Sequence, residues 1–180
     1  MSASDHSGSP AYSKNTIEFL AVAKSYCDFL EEIESVDRNR FIETMLRLLP
    51  LLYLKGSLLP ETELISDGEL ERFATETHYG LLAEKMSELL GEDDSYLNAF
   101  DPDVILADGP VAASISEDIA DIWQALYDFI EVFRLGYDET MNDALYLCRD
   151  DFAAGWGQQT LDALRALHSV KYNGEEAQSY

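Results

Sequence analysis

Three carboxylates in one short stretch are the residues whose types and spacing most resemble a chemical site. The stretch reads SEDIADIW, from Ser116 to Trp123, and its acids Glu117, Asp118 and Asp121 stand at positions i, i+1 and i+4. Carboxylate oxygens are the ligands that hard cations such as Mg²⁺ prefer. The alternative is a helix face that is exposed to water.

Helical periodicity around this stretch favours the second interpretation. At about 100° per residue, the apolar residues form one arc of a helix that begins near Ser116. Glu117 and Asp121 lie on the opposite face, and Asp118 lies at the edge of the apolar arc. Metal sites in helical bundles are built from side chains that point inward. We therefore expect a solvated helix face, and a metal site is the alternative.

The stretch is nevertheless similar to one known metal motif. The all-helical nucleoside triphosphate pyrophosphohydrolases bind magnesium with Glu-Glu-x-x-Glu and a later Glu-x-x-Asp, and EDIAD resembles the first motif with two Asp replacements. The second motif is absent, because Glu139 and Asp143 have one residue too many between them. This resemblance implies a magnesium-dependent enzyme that acts on nucleotides. Its implied ligands are Glu117, Asp118 and Asp121, with partner acids such as Glu31 or Glu34.

A second candidate site lies in CRDDFAAGWGQQTLDALRALH, from Cys148 to His168. A continuous helix would place Arg149 and Trp156 on the face that meets the core, although glycines flank the Trp. Each glycine in a helix costs roughly 1 kcal/mol relative to Ala, and close packing or a ligand usually offsets that cost. One interpretation is a tight helix crossing in which Arg149 binds a buried acid such as Asp118. The other is a small pocket built from Arg149, Trp156 and His168.

The charge balance limits the possible partners. The 180 residues include 12 basic and 35 acidic side chains, which give a formal net charge of -23. Such a surface repels phosphate backbones and anionic lipids, so direct nucleic-acid or membrane binding is disfavoured. It favours cations, a basic partner protein or simply solubility. The hydrophobic fraction of 47% is high enough for a folded domain with a real core.

Cysteine and histidine usage indicates a reducing compartment and no metal cofactor. Cys27 and Cys148 are too few for a disulfide framework and match no zinc spacing, and the three histidines form neither a Glu-x-x-His nor a His-Glu-x-x-His motif. The N-terminal MSASDHSGSPAYS lacks the features of a secretory signal. The most apolar run contains Arg47 and Lys55 and is too short to span a bilayer. We expect a cytoplasmic protein without a cofactor, or with Mg²⁺ in the enzyme alternative.

Helical spacing predominates along the chain and predicts a single all-α domain, a bundle of five to seven helices. We expect a disordered lead-in over residues 1–12, the domain over 13–172 and a frayed tail over 173–180. The helix after Asp37 is apolar over most of its circumference, so it is the predicted central helix, and Pro50 inside it predicts a kink. No segment alternates with a period of two for long enough to predict a strand.

Two patterns predict helix starts, and one long segment predicts a loop. Asn15 and Ser66 are each followed three residues later by Glu, which resembles a capping box. Residues 92–113 contain two Pro and five Asp and are expected to be irregular. Tyr96 and Phe100 in that loop are candidate aromatic anchors for a partner.

Four stretches of the chain resemble a bacterial family that is catalogued only as a domain of unknown function. They are, in order, FLAVAKSYCDFLE, LLPLLYLKGSLLP, DIADIWQALYDFI and WGQQTLDALRALHS, and they extend the resemblance over about residues 17–171. The resemblance implies an all-helical fold and brings no established activity, cofactor or partner. Similar sequences often carry a His before the Trp-Gly pair, where this chain has Gly155.

Together these patterns favour an acidic helical interaction or regulatory module rather than an enzyme. We expect it to act through protein contacts, either with an unidentified partner protein or by self-association. A variant of this hypothesis is an acidic mimic that occupies a nucleic-acid-binding protein. The magnesium-dependent pyrophosphohydrolase-like enzyme is the alternative.

Overall fold

The computed structural model describes residues 8–67, 69–99 and 109–173. Six α-helices and one small sheet make up this part of the chain. The helices are α1 (Lys14–Glu31), α2 (Arg38–Ser57), α3 (Glu76–Leu90), α4 (Ile115–Arg134), α5 (Asp138–Asp151) and α6 (Gly157–Tyr172). A π-helical turn, Phe152–Trp156, joins α5 to α6 without a break. The predicted all-α domain is confirmed.

The first helix is capped by a short polar side chain, but the cap lies two residues before Asn15, the predicted one. Ser13 is the N-cap of α1, and its side chain accepts a hydrogen bond from the Thr16 amide at 3.2 Å. The Thr16 hydroxyl donates to the Pro10 carbonyl at 2.8 Å. Residues 10–12 of the predicted lead-in form a 3₁₀ turn in which Ala11 is buried. Residues 1–7 and 174–180, the rest of the predicted lead-in and most of the tail, lie outside the described residues.

The predicted helix start at Ser66 is wrong, because residues 58–67 and 69–75, which we call the strap, contain no helix. The next helix, α3, begins only at Glu76, where the Thr75 side chain caps it. The hydroxyl of Ser66 instead donates to Asp143 of α5 at 2.6 Å. A capping side chain that is committed to another helix cannot satisfy its own local amides.

Helix α4 has the largest number of helix neighbours. It packs against α1, α3, α5 and α6, and its Trp123 is fully buried. Helix α2, the predicted central helix, packs mainly against α6 and α1. Pro50 lies inside α2 as expected, and Leu54 on the same helix is 52% exposed. The α4 apolar arc therefore supplies the middle of the core.

A two-stranded antiparallel sheet occupies part of the predicted irregular segment. Strand β1 (Ser95–Asn98) pairs with β2 (Val111–Ser114), with Ser95 opposite Ser114. The prediction of no strand is therefore wrong here, because four-residue strands are too short to show a period of two. Within the described residues, the sheet leads directly into α4. Residues 100–108, which include Phe100, lie outside the described part of the chain.

Candidate functional site

The first turn of α4 carries two carboxylates with different environments. Glu117 is exposed and accepts a hydrogen bond from the Ser114 hydroxyl at 2.8 Å. Asp118 is half-buried and accepts a hydrogen bond from the Tyr96 hydroxyl of β1. Burial raises the pKa of Asp118 to about 7, and the nearby charge of Asp162 adds to the increase, while the Tyr96 hydrogen bond opposes it. Asp118 thus holds the hairpin against the bundle.

Asp121, the third carboxylate of the stretch, joins three helices. It accepts a hydrogen bond from the Tyr79 hydroxyl of α3 at 2.8 Å and another from Gln159 Nε2 of α6 at 2.6 Å. Burial and the hydrogen bond to Asp121 both raise the pKa of Tyr79. Asp121 is therefore only partly exposed, and its helix face is solvated less than expected, because side chains of α3 and α6 donate to it.

A further acid, Asp162 of α6, completes this network and was not singled out from the sequence. It is buried, and it accepts hydrogen bonds from Asn98 Nδ2 at 3.0 Å and Gln158 Nε2 at 3.1 Å. Its neighbours Leu161 and Ala163 give no local sign that this acid faces inward. Only the approach of β1 to α6 makes Asp162 a structural residue.

The described residues contain no group of three or more His, Cys, Asp or Glu side chains placed to hold a metal ion. The two acids named as possible partners are paired elsewhere, Glu31 with His78 at 3.2 Å and Glu34 with Lys85 at 3.9 Å. Asp118 and Asp121 each already accept a hydrogen bond from a tyrosine hydroxyl. A cation at this position would compete with those donors for the carboxylate oxygens.

The three residues of the predicted pocket lie in different environments. Trp156 is buried, and its Nε1 donates to the Cys148 carbonyl at 3.1 Å. Arg149 pairs with Glu61 of the strap at 2.7 Å, not with Asp118. His168 is exposed and lies 4.7 Å from the Tyr172 ring. A cavity of about 300 Å³ is lined by Arg149 but not by Trp156 or His168.

Close packing at two glycines accounts for the position of Trp156. A Cβ atom on Gly56 of α2 would lie 2.6 Å from the Trp156 ring, so only glycine lets α2 approach this closely. A Cβ atom on Gly157 would lie 2.4 Å from the Phe152 carbonyl oxygen. In the π turn, the Gly157 amide bonds to that carbonyl, five residues back. The extra residue of a π turn rotates the helix beyond it, which a continuous wheel does not represent.

Of the two predicted partner-binding aromatics, Tyr96 lies in the described part of the chain. Tyr96 is half-buried, its ring packs on the core, and its hydroxyl is bound to Asp118. Phe100 lies outside the described residues. On the same strand Leu97 is 68% exposed and is therefore the outward-facing apolar residue.

Two aspartates, Asp143 of α5 and Asp128 of α4, hold the strap on the bundle. Asp143 is 1% exposed and accepts hydrogen bonds from the amides of Ile65 at 2.8 Å and Ser66 at 3.0 Å. Asp128 accepts from the amides of Phe73 at 2.6 Å and Ala74 at 2.7 Å. Burial alone would raise the pKa of Asp143, but its hydrogen bonds outweigh burial and lower that pKa.

Between the strap and the bundle lies a cleft of about 660 Å³. We call it the strap cleft. It is lined by Glu69, Leu70, Glu71, Arg72, Asp121, Gln124, Ala125, Asp128, Phe129, Val132, Ala144, Leu147, Cys148 and Asp151. Five of these residues are acidic and one is basic. Of the opening SEDIADIW acids, only Asp121 reaches the strap cleft.

Comparison with known proteins places the chain in a family. No curated protein matches it. The crystal structure of protein BF1032 from Bacteroides fragilis, a structural genomics target, is 44% identical over 91% of this chain and 96% of its own, with a TM-score of 0.80. The family model for a domain of unknown function, DUF5063, matches residues 10–173. The chain therefore belongs to the DUF5063 family, as its four family-like stretches predicted.

Proposed function

We propose that this protein is an acidic helical interaction module that acts by binding a basic surface of a partner protein. One observation carries the proposal: at least nine of the twelve basic side chains lie within 4.0 Å of a carboxylate of the same chain. Internal pairing of this extent leaves little positive surface in the described residues. The excess acidic side chains are then the charges that a partner meets.

Electrostatic complementarity is what such a surface supplies to an interaction. Exposed ion pairs contribute only about 0–1 kcal/mol each to stability, so the pairing matters mainly for the field outside the protein. A negative field steers a basic partner into contact and suppresses contact with anionic ones. This supports a protein partner with a positive patch over a nucleic acid or an anionic lipid surface.

The proposal includes a cytoplasmic location. Cys27 and Cys148 are both buried and unpaired, and free thiols are typical of reducing compartments. Among the described residues, no helix is both long enough and apolar enough to cross a membrane. Only the thiols argue for the cytoplasm, so fractionation of cells is the direct measurement.

Affinity capture tests the proposed function when it is matched to a charge control. The chain is immobilised beside an unrelated helical protein of similar net charge, and both are exposed to a bacterial lysate at about 0.15 M salt, where the Debye length is about 8 Å. We expect a stoichiometric partner with a basic surface on this chain alone, weakened by higher salt. Equal retention of the same polycations by both baits would contradict the proposal. Light scattering then separates self-association from binding to another protein.

A further inference from the structure

The strap cleft has the shape and charge of a site for a chain segment. We propose that it binds a short basic amphipathic segment of the partner protein, with apolar side chains on its floor and Lys or Arg side chains at its rim. This inference rests on the proposed function, and it names the site and the partner chemistry that the function requires.

The length of the cleft fits a peptide. Its wall on α4 extends from Asp121 to Val132, which is about 16 Å at 1.5 Å per residue. An extended segment of about five residues has that length. The other walls are strap residues 69–72 and the C-terminal half of α5, from Ala144 to Asp151. A groove of this length can hold several consecutive side chains.

The floor of the cleft is apolar. Phe129, Val132 and Ala144 are largely buried there, and Leu147 and Ala125 are half-buried on the same floor. Apolar side chains of a ligand would remove this surface from water, which is the main favourable term in most protein association. A purely polar cation cannot use such a floor.

The rim of the cleft carries an excess of negative charge, which the one basic lining residue, Arg72, offsets only in part. Glu69, Glu71 and Asp151 make no hydrogen bond or ion pair with other described residues, whereas Asp121 and Asp128 are occupied by structural donors. Burial and the neighbouring Asp150 raise the pKa of Asp151, and Arg72 partly offsets this increase. A carboxylate in this environment is stabilised by an approaching cation. The rim therefore complements Lys or Arg residues that flank an apolar pair.

Selection from a library of random short peptides displayed on phage gives the test. The targets are the native chain, the cleft variant E69Q/E71Q/D151N and a control variant E32Q/E84Q/E92Q, which removes the same formal charge from exposed positions outside the strap cleft. We expect enrichment of peptides with Lys or Arg around two apolar residues. The dissociation constant of the best peptide should rise about tenfold or more in the cleft variant and less than about twofold in the control.

A floor variant and a cationic probe separate the remaining explanations. Leu147→Gln should weaken the peptide and leave the weak binding of spermine unchanged, and melting of each variant confirms that it is folded. Equal peptide affinity for the cleft and control variants would overturn the inference while leaving the proposed function in place. Spermine that binds as tightly as the peptide would overturn it as well, since the cleft would then be a polyamine site. Failure of both peptide selection and affinity capture would overturn the proposed function too.

Discussion

The hydroxyl group of Tyr96 donates a hydrogen bond to the carboxylate of Asp118, which joins β1 to the first turn of α4. This contact links two elements that are separated by 22 positions in the sequence. It fixes the hairpin beside the bundle and places an acid in a half-buried position. The protonation of Asp118 is therefore coupled to folding.

Stability should depend on pH through Asp118. Its pKa is 3.8 in an unperturbed chain and about 7 in the folded protein, so the folded state binds an extra proton between those values. The contribution of this group to the free energy of unfolding is then present at low pH and is lost as pH rises through the window. Between about pH 4 and pH 8, the free energy of unfolding of the native chain should fall by roughly 2–4 kcal/mol relative to that of Asp118→Asn. Urea unfolding of both proteins across this pH range measures the difference. A difference in the free energy of unfolding that does not change with pH would contradict the prediction. Glu117→Gln is the exposed control.

Removal of Asp143 should release the strap. Asp143→Ala leaves the amides of Ile65 and Ser66 without their acceptor, and we expect a loss of roughly 2–4 kcal/mol at neutral pH. Because the folded-state pKa of Asp143 is lowered, its contribution is present above the usual value of 3.8 and disappears as pH falls through the folded-state pKa. Hydrogen exchange at Ile65 and Ser66 reports the local effect. Asp150→Ala on the exposed side of α5 should change neither quantity.

Two glycine substitutions should have opposite effects. A methyl group on Gly56 would meet the Trp156 ring at 2.6 Å, so Gly56→Ala should destabilise the protein by roughly 1–3 kcal/mol. No atom lies within 4 Å of a Cβ on Gly80 inside α3. Gly80→Ala should therefore stabilise by roughly 0.5–1 kcal/mol. Both values come from denaturant melts, and equal effects of the two changes would show that the contact with Trp156 is unimportant.

Trp156 should behave as a core residue. Its side chain is 2% exposed and contacts the rings of Phe19 and Phe152. Trp156→Ala should cost roughly 3–5 kcal/mol, whereas His168→Ala, at an exposed position, should be nearly neutral. If the Trp156→Ala variant melts at the same temperature as the native chain, the Trp156 ring does not contribute to the core, and the prediction is wrong.

Thermal melting with magnesium, manganese or zinc distinguishes the enzyme alternative. We expect no shift, with or without nucleotides, because Asp121 already accepts hydrogen bonds from Tyr79 and Gln159. A ligand that binds only the folded state would add about 2.7 kcal/mol at a hundredfold excess over its dissociation constant. A shift that needs metal and nucleotide together would favour the pyrophosphohydrolase-like function. Its loss in Asp121→Asn, with folding intact, would locate the metal.

The helical architecture could be predicted from local sequence patterns. Periodicity near 3.6 residues predicted α2, α4 and the helical stretch from Cys148 to His168, because each helix buries one apolar face and the spacing of its apolar residues shows this locally. It also placed Trp156 among the core candidates, on the face of its helix that meets the core. The composition predicted an acidic protein, because net charge is a sum over residues and does not depend on how they are arranged.

The tertiary structure alone decided where the carboxylates act. Asp143 and Asp128 accept hydrogen bonds from backbone amides of the strap, more than fifty residues away in the sequence. Asp118 and Asp162 contact β1 only because the hairpin folds onto α4 and α6. Ser66 has a capping pattern, yet its amide and its hydroxyl both donate to Asp143 of a distant helix. Hydrogen bonds between distant elements depend on how whole elements pack, and no local period of the sequence contains that information.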